Sequence, residues 1–306
     1  MSVGRRAAPL GGLVLAALTA CGGDLSNAVF VEDAAFRAAL PQLDVSLAWP
    51  GGEVIVEEPT TGAELLALPP TQDALGELSA ALDLLQVTVS PALSLSPSER
   101  GEDYRVWGPY PFDAAPGSFI RLEMSRTSDR ALYSVALQAA ATSLGPWTEF
   151  SVGLWSEEPL EDDLVGELGW DWSAFGAVTG NEAEGRFTLA WSASGEHLRL
   201  QLAEIGGLEA ATMGVWLADG GGQLTTEARV DLDDAGGLPE SLTLRSAWDA
   251  AGAGRGALRV SGGDLGLISN TAEHCWAADG ALLWFSDEEG WGTTSGAEEA
   301  CSLPPP

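Results

Sequence analysis

The chain has no lysine, and only two histidines, three cysteines, three methionines and three tyrosines among its 306 residues. Its 14 basic residues, all arginine, face 45 acidic ones, for a net charge of −31. A surface of that sign is repelled by nucleic-acid phosphate and by anionic lipid headgroups, so adsorption to either is excluded. Its field also concentrates cations, although solubility is the commoner role of such charge. Neither His197 nor His274 has a serine or cysteine nucleophile motif nearby, and no Gly-x-Ser-x-Gly occurs, which argues against a nucleophilic hydrolase. No phosphate-cradling or dinucleotide-binding glycine motif occurs, and no cofactor is expected.

Arg5 and Arg6 precede an apolar run, Ala7 to Leu18, that is too short to span a bilayer and has the flanks of a secretory signal. Leu18-Thr19-Ala20-Cys21 follows directly and resembles the lipobox of bacterial lipoproteins. The resemblance implies that residues 1–20 are removed and that Cys21 becomes the lipidated first residue. In that family an Asp after the cysteine favours inner-membrane retention; Gly22 stands there instead, which implies the outer membrane. The partner expected at this end is therefore a membrane, held through acyl chains, with residues 21–28 as a short linker. Without residues 1–20, 12 arginines face 45 acids, a charge of −33.

With Cys21 so used, Cys275 and Cys301 are left in a compartment where disulfides persist, and they are expected to pair. A metal pair with His274 lacks a fourth ligand and any recognisable spacing.

Residues 29–98 read as helical or irregular. Glu32 to Leu40 suits a short helix, and Asp44–Trp49 and Glu53–Glu57 alternate like short strands. Thr71 is placed to cap a helix from Gln72 to about Gln86, with Leu75, Leu78, Leu82 and Leu85 on one stripe. Pro91 and Pro97 make Val87 to Ser98 read as a linker.

From residue 99 to 303 the period becomes two. Ile120, Leu122 and Met124 alternate with Arg121, Glu123 and Ser125. Phe187, Leu189 and Trp191, then Leu198, Leu200 and Leu202, do the same. Asp279-Gly280 marks a hairpin. Some ten strands joined by short turns predict a mainly β fold, an antiparallel meander curled into a barrel or half-barrel, with the Leu75–Leu85 helix packed on its apolar side.

Arg105-Val106-Trp107-Gly108-Pro109-Tyr110, Arg121-Leu122-Glu123-Met124 and Tyr133-Ser134-Val135-Ala136-Leu137 resemble segments of uncharacterised outer-membrane lipoproteins from myxobacteria-like organisms. Gly185-Arg186-Phe187-Thr188-Leu189 and the ending from Cys275-Trp276 to Cys301 fit the same pattern. The resemblance implies a fold and a compartment, periplasmic or surface-facing, and brings no catalytic residues.

Twelve tryptophans stand out. Those in strands suit a core. Trp170, Trp172 and Trp291 lie nearer loops and beside carboxylates, where an indole stacks on a sugar or an apolar ligand. Asp231, Asp233 and Asp234 superficially match a calcium loop, but Ala235 and Leu242 stand where ligands belong, so a solvated turn is the default. The expected function is a non-enzymatic outer-membrane lipoprotein holding an apolar ligand in a β-barrel. The alternatives are a carbohydrate or cell-wall adhesion module and, more weakly, a carboxylate-dependent hydrolase.

Overall fold

The structure, a computed structural model, describes residues 27–306 except 42, 44, 46, 48, 51–66, 113–114, 130, 157, 162, 181, 183, 206–207, 232–236 and 288–293. Cys21 and the expected strand Glu53–Glu57 lie outside the described residues, and no strand is assigned to the described part of Asp44–Trp49. The chain forms two compact units, Met1–Ala39 and Leu40–Pro306. The first contains α1, Asn27–Ala38, which starts five residues before the expected helix.

The second unit is built on one sheet whose spatial order is its sequence order. Its strands are β1 (Glu99–Arg100), β2 (Tyr104–Pro111), β3 (Phe119–Arg126), β4 (Leu132–Ala140), β5 (Thr148–Ser156), β6 (Leu164–Asp171), β7 (Arg186–Ser192) and β8 (His197–Ile205). It continues through β9 (Leu208–Ala218), β10 (Gly221–Val230), β11 (Glu240–Trp248), β12 (Gly254–Ser261), β13 (Ser269–Trp276), β14 (Leu282–Asp287) and β15 (Ser295–Gly296). All pairings are antiparallel, as the alternation requires. In β3, Ile120, Leu122 and Met124 are buried while Arg121, Glu123 and Ser125 are half-buried. Register shifts in β2, β4 and β6 add the local twist that curls a sheet of this width.

The meander stays open. β1 and β15 each have a single neighbour, so the barrel alternative does not form and the curled open sheet does. Both edge strands are two residues long, too short to template pairing with another chain.

Helix α2, Leu68–Ser94, lies on the sheet's inner face and is longer at both ends than the sequence predicts. At its start Thr71 is a helical residue rather than the cap. Its hydroxyl donates to the Ala67 carbonyl at 2.5 Å and meets the Ser246 hydroxyl of β11 at 2.6 Å. Pro69 and Pro70 fall in the first turn, where backbone N–H groups have no intrahelical partner in any case. Further along, the helix continues through Pro91, and the Ser90 hydroxyl donates to the Val87 carbonyl that Pro91 leaves without an amide. The stripe Leu75, Leu78, Leu82 and Leu85 is at most 4% exposed and continues to Val89 and Ala92. Burying each leucine contributes about 1.5–3 kcal/mol. From His274 of β13 the helix crosses towards β2, where the Trp107 indole N–H donates to the Leu95 carbonyl at 3.2 Å.

Tryptophans pack on this inner face by lying over glycines of neighbouring strands. Gly254 pairs with Trp276, and a Cβ there would sit 2.3 Å from the indole. Gly222 stands likewise opposite Trp248, at 2.5 Å. On the outer face the C-terminal tail is pinned by the Cys275–Cys301 disulfide. Arg255 binds Glu273 at 3.0 Å and Glu298 at 2.7 Å there, and lies over Trp284.

Candidate functional site

The strand preceding the site, β6, ends in Trp170-Asp171, and the chain then turns into α3, Trp172–Thr179. Asp171 caps this helix, accepting the Ala174 amide at 2.9 Å, and Gly180 ends it at φ 74°, a left-handed conformation that suits glycine. The cap separates two tryptophans, one residue to either side of it, that differ in role. Trp170 is 2% exposed and stacks on Phe187 of β7 at 4.3 Å. Trp172, on the helix, meets the same Phe187 at 5.8 Å and reaches the surface. Trp291 lies outside the described residues.

Beyond Trp172 an apolar crevice of about 190 Å³ opens between α2 and the ends of β7 and β8. Its sheet side is Phe187, Leu200, Leu202 and Ile205, and its helix side is Ala80, Ala81 and Leu84, with Glu77 as the sole charged residue. Ala80 and Glu77 are exposed and Ala81 is buried, which puts the carboxylate at the mouth and small side chains along the wall. Ala81 puts a methyl group on the buried side of the helix beside the leucines, and Ala80 lies off the stripe, at the exposed edge of the crevice. On the order of 150 Å³ of apolar cavity suffices to hold a benzene ring, so this space suits one ring or one hydrocarbon end. Helix periodicity made the stripe legible in the sequence. Which strands lie under Ala80 and Ala81 is a tertiary fact with no sequence signal.

Two other concavities differ in chemistry. A groove of about 300 Å³ follows the sheet over Gly169 and is edged by Glu149, Asp171 and Arg186. A rim cavity of about 200 Å³ brings Glu196 and Asp219 beside Leu75 and Trp248. Both of those carboxylates are exposed.

His197 follows a hairpin turn, where the sequence suits a solvated side chain, yet the structure buries it, and it buries His274 beside the disulfide as well. His197 is 7% exposed, stacked on Trp216 at 4.5 Å, with Nδ1 at 2.5 Å from Asp163. That hydrogen bond holds the Asp163 carboxyl below its ordinary pKa. Trp216, which sequence reasoning left among the core tryptophans, is 44% exposed on the outer face. His274 is 1% exposed under the start of α2, with the Ala67 amide 3.2 Å from Nδ1 and the Leu68 amide 3.3 Å from Nε2. Burial pushes its pKa down to about 4. Asp233 and Asp234 lie outside the described residues, and among the described residues no three His, Cys, Asp or Glu side chains gather as a metal site.

No helix among the described residues is long and apolar enough to cross a membrane. Comparison with protein-family models, curated proteins and solved structures finds no match to this chain.

Proposed function

We propose that this protein is a lipid-anchored envelope protein, of the myxobacterial lipoprotein type that its sequence resembles, that holds the apolar end of an amphiphile beside α2. In this reading Cys21 carries the acyl anchor in the outer membrane and the β domain carries the ligand. The observation that supports it is the crevice itself, apolar on eight of its nine lining residues. The exposed Glu77 at its mouth and the chain's charge of −31 disfavour an anionic head, so the ligand is neutral or cationic. No chemistry on the ligand is part of the proposal.

The test uses the full chain carrying Cys21→Ser. Dodecylamine and monododecanoylglycerol are expected to quench tryptophan fluorescence saturably, and dodecanoate to bind about ten-fold more weakly, as one opposed charge of order 1.4 kcal/mol gives. Ala80→Trp fills the mouth from an exposed helix position and abolishes the quench with unfolding unchanged. Failure of all three probes, or wild-type binding by Ala80→Trp, refutes the proposal.

A second reading, carbohydrate adhesion, draws support from Trp216. Its half-exposed ring, backed by His197 and next to the Arg199–Glu161 ion pair at 2.7 Å, has the form of a sugar-stacking platform. Trp216→Ala abolishing retention on a polysaccharide column, with amphiphile binding intact, would select it.

A further inference from the structure

We propose that one rim of the sheet, where even-numbered strands turn into odd-numbered ones, docks on a zwitterionic lipid surface by inserting leucines from its hairpin tips. In a sequential antiparallel meander all such turns lie on the same rim. Three of them present exposed apolar side chains: Leu144 at 93% between β4 and β5, Leu238 at 68% between β10 and β11, and Leu267 at 105% with Ile268 at 53% between β12 and β13. The seven turns on the opposite rim each carry a carboxylate: Glu102 and Asp103, Asp129, Glu196, Asp219, Asp249 and Asp279 in six of them, and Glu158, Glu161 and Asp163 around Leu160 at 42% in the seventh. The three most exposed leucines of the sheet's turns, Leu144, Leu238 and Leu267, thus share one rim, while Leu160 and Leu282, each at 42%, lie on the other.

These tips are held rather than loose. The Gly145 amide donates to the Thr142 carbonyl at 3.1 Å and the Thr142 hydroxyl to the Gly145 carbonyl at 2.8 Å, closing the Leu144 turn. Asp264 accepts the Leu238 amide at 3.3 Å, so the second and third tips stand side by side. Gly266, at φ 64°, takes the left-handed bend that projects Leu267. A fixed, solvated leucine at a turn buries little apolar area within the fold and is free to bury it in an apolar phase outside.

The geometry points to a bilayer as the occupant. The first and third tips are eight strands apart, about 38 Å along the rim at 4.8 Å per strand. Separate convex tips need separate matching pockets on a protein, whereas a bilayer accepts each wherever it lands. The Leu144 turn, residues 141–147, has no charged residue. Neighbouring Glu204, Asp231 and Asp264 on the same rim, within a chain of charge −31, select zwitterionic over anionic headgroups. The crevice lined by Trp172, Leu202 and Ile205 also opens at this rim, because Trp172 directly follows β6 and the other two lie in the last part of β8. If the crevice takes an amphiphile, docking sets its mouth against the source; the docking itself stands without that ligand.

The experiment places an environment-sensitive nitrobenzoxadiazole label at Leu144→Cys, Leu267→Cys and, on the opposite rim, Leu160→Cys, each in the full chain with Cys21→Ser and the 275–301 disulfide intact. With phosphatidylcholine vesicles the labels at 144 and 267 are expected to brighten and shift to the blue, and the label at 160 to stay unchanged. Phosphatidylglycerol vesicles are expected to give no shift. Replacing Leu144, Leu238 and Leu267 with serine is expected to weaken vesicle partition by about ten-fold per leucine, with thermal unfolding unaltered. Equal shifts on both rims, no shift at 144 and 267, or undiminished partition of the triple variant overturns the proposal. A shift at high protein concentration without vesicles also overturns it, by assigning the rim to a second copy of this chain. The solution titration of the crevice is independent of vesicles, so the two proposals fail separately.

Discussion

His274 makes the stability of the β domain depend on pH in a window that can be calculated. Its ring sits under the first residues of α2, facing the Ala67 and Leu68 amides, with Trp276 5.2 Å away. A neutral imidazole has one in-plane lone pair and takes one of these amides; an imidazolium has none and also meets the positive end of a 27-residue helix. In the native protein the pKa is lowered from 6.5 to about 4. Between those values the unfolded chain binds a proton that the native chain does not, so stability rises with pH through the window and falls on acidification. At 1.36 kcal/mol per pH unit the loss from pH 7 to pH 4 is about 3 kcal/mol. The comparison is with His274→Asn, whose side chain does not titrate. Carboxylates far from the site protonate alike in both proteins and cancel in the difference. Urea unfolding followed by tryptophan fluorescence at pH 7, 6, 5 and 4 should show the wild type losing about 3 kcal/mol more than the variant. With only two histidines in the chain, the Cε1–H resonances assign the effect directly. Equal losses in both proteins, or a His274 resonance that titrates near 6.5, would refute the reasoning.

Other perturbations test the packing. Cys301→Ser opens a link between positions 26 residues apart and is expected to cost about 3–4 kcal/mol in thermal or urea unfolding, the loop-entropy value for that length. Gly254→Ala drives a Cβ to within 2.3 Å of the Trp276 ring and 2.6 Å of the Ala247 carbonyl; a loss of about 1–3 kcal/mol is expected, with altered near-ultraviolet circular dichroism. Thr71→Val leaves the buried Ser246 hydroxyl without its 2.6 Å partner, and chemical unfolding should register a loss of about 1–3 kcal/mol that Thr71→Ser largely restores.

Much of the fold was legible because each local signal agreed with the packing that followed. The alternation of Ile120, Leu122 and Met124, or of Leu198, Leu200 and Leu202, needs only a sheet with one buried face, and the sheet supplies it. β6 was missed because Gly166 and Gly169 interrupt its apolar pattern, and Gly166 is required by the indole of Trp191 packed above it. The helix boundary failed for a similar reason. Thr71 has the chemistry of a cap, yet the amides before it find His274, some two hundred residues away. Pro91 has the chemistry of a breaker, yet Ser90 takes over the orphaned carbonyl while Val89 and Ala92 remain buried.

What the amino acids determined alone was the mainly β class, the antiparallel order, the leucine stripe and the pairing of the last two cysteines. These follow from period, turn chemistry and count, all of which are local or additive. Tertiary structure decided that the sheet stays open, that α2 crosses its inner face from β13 to β2, and that Ala80 and Ala81 face β7 and β8 to leave a crevice. It also decided which tryptophan is covered and which stands out, Trp170 or Trp216. Those outcomes depend on the distances between residues far apart in the chain, and a period of two is the same whether the ribbon it makes is curled, closed or flat.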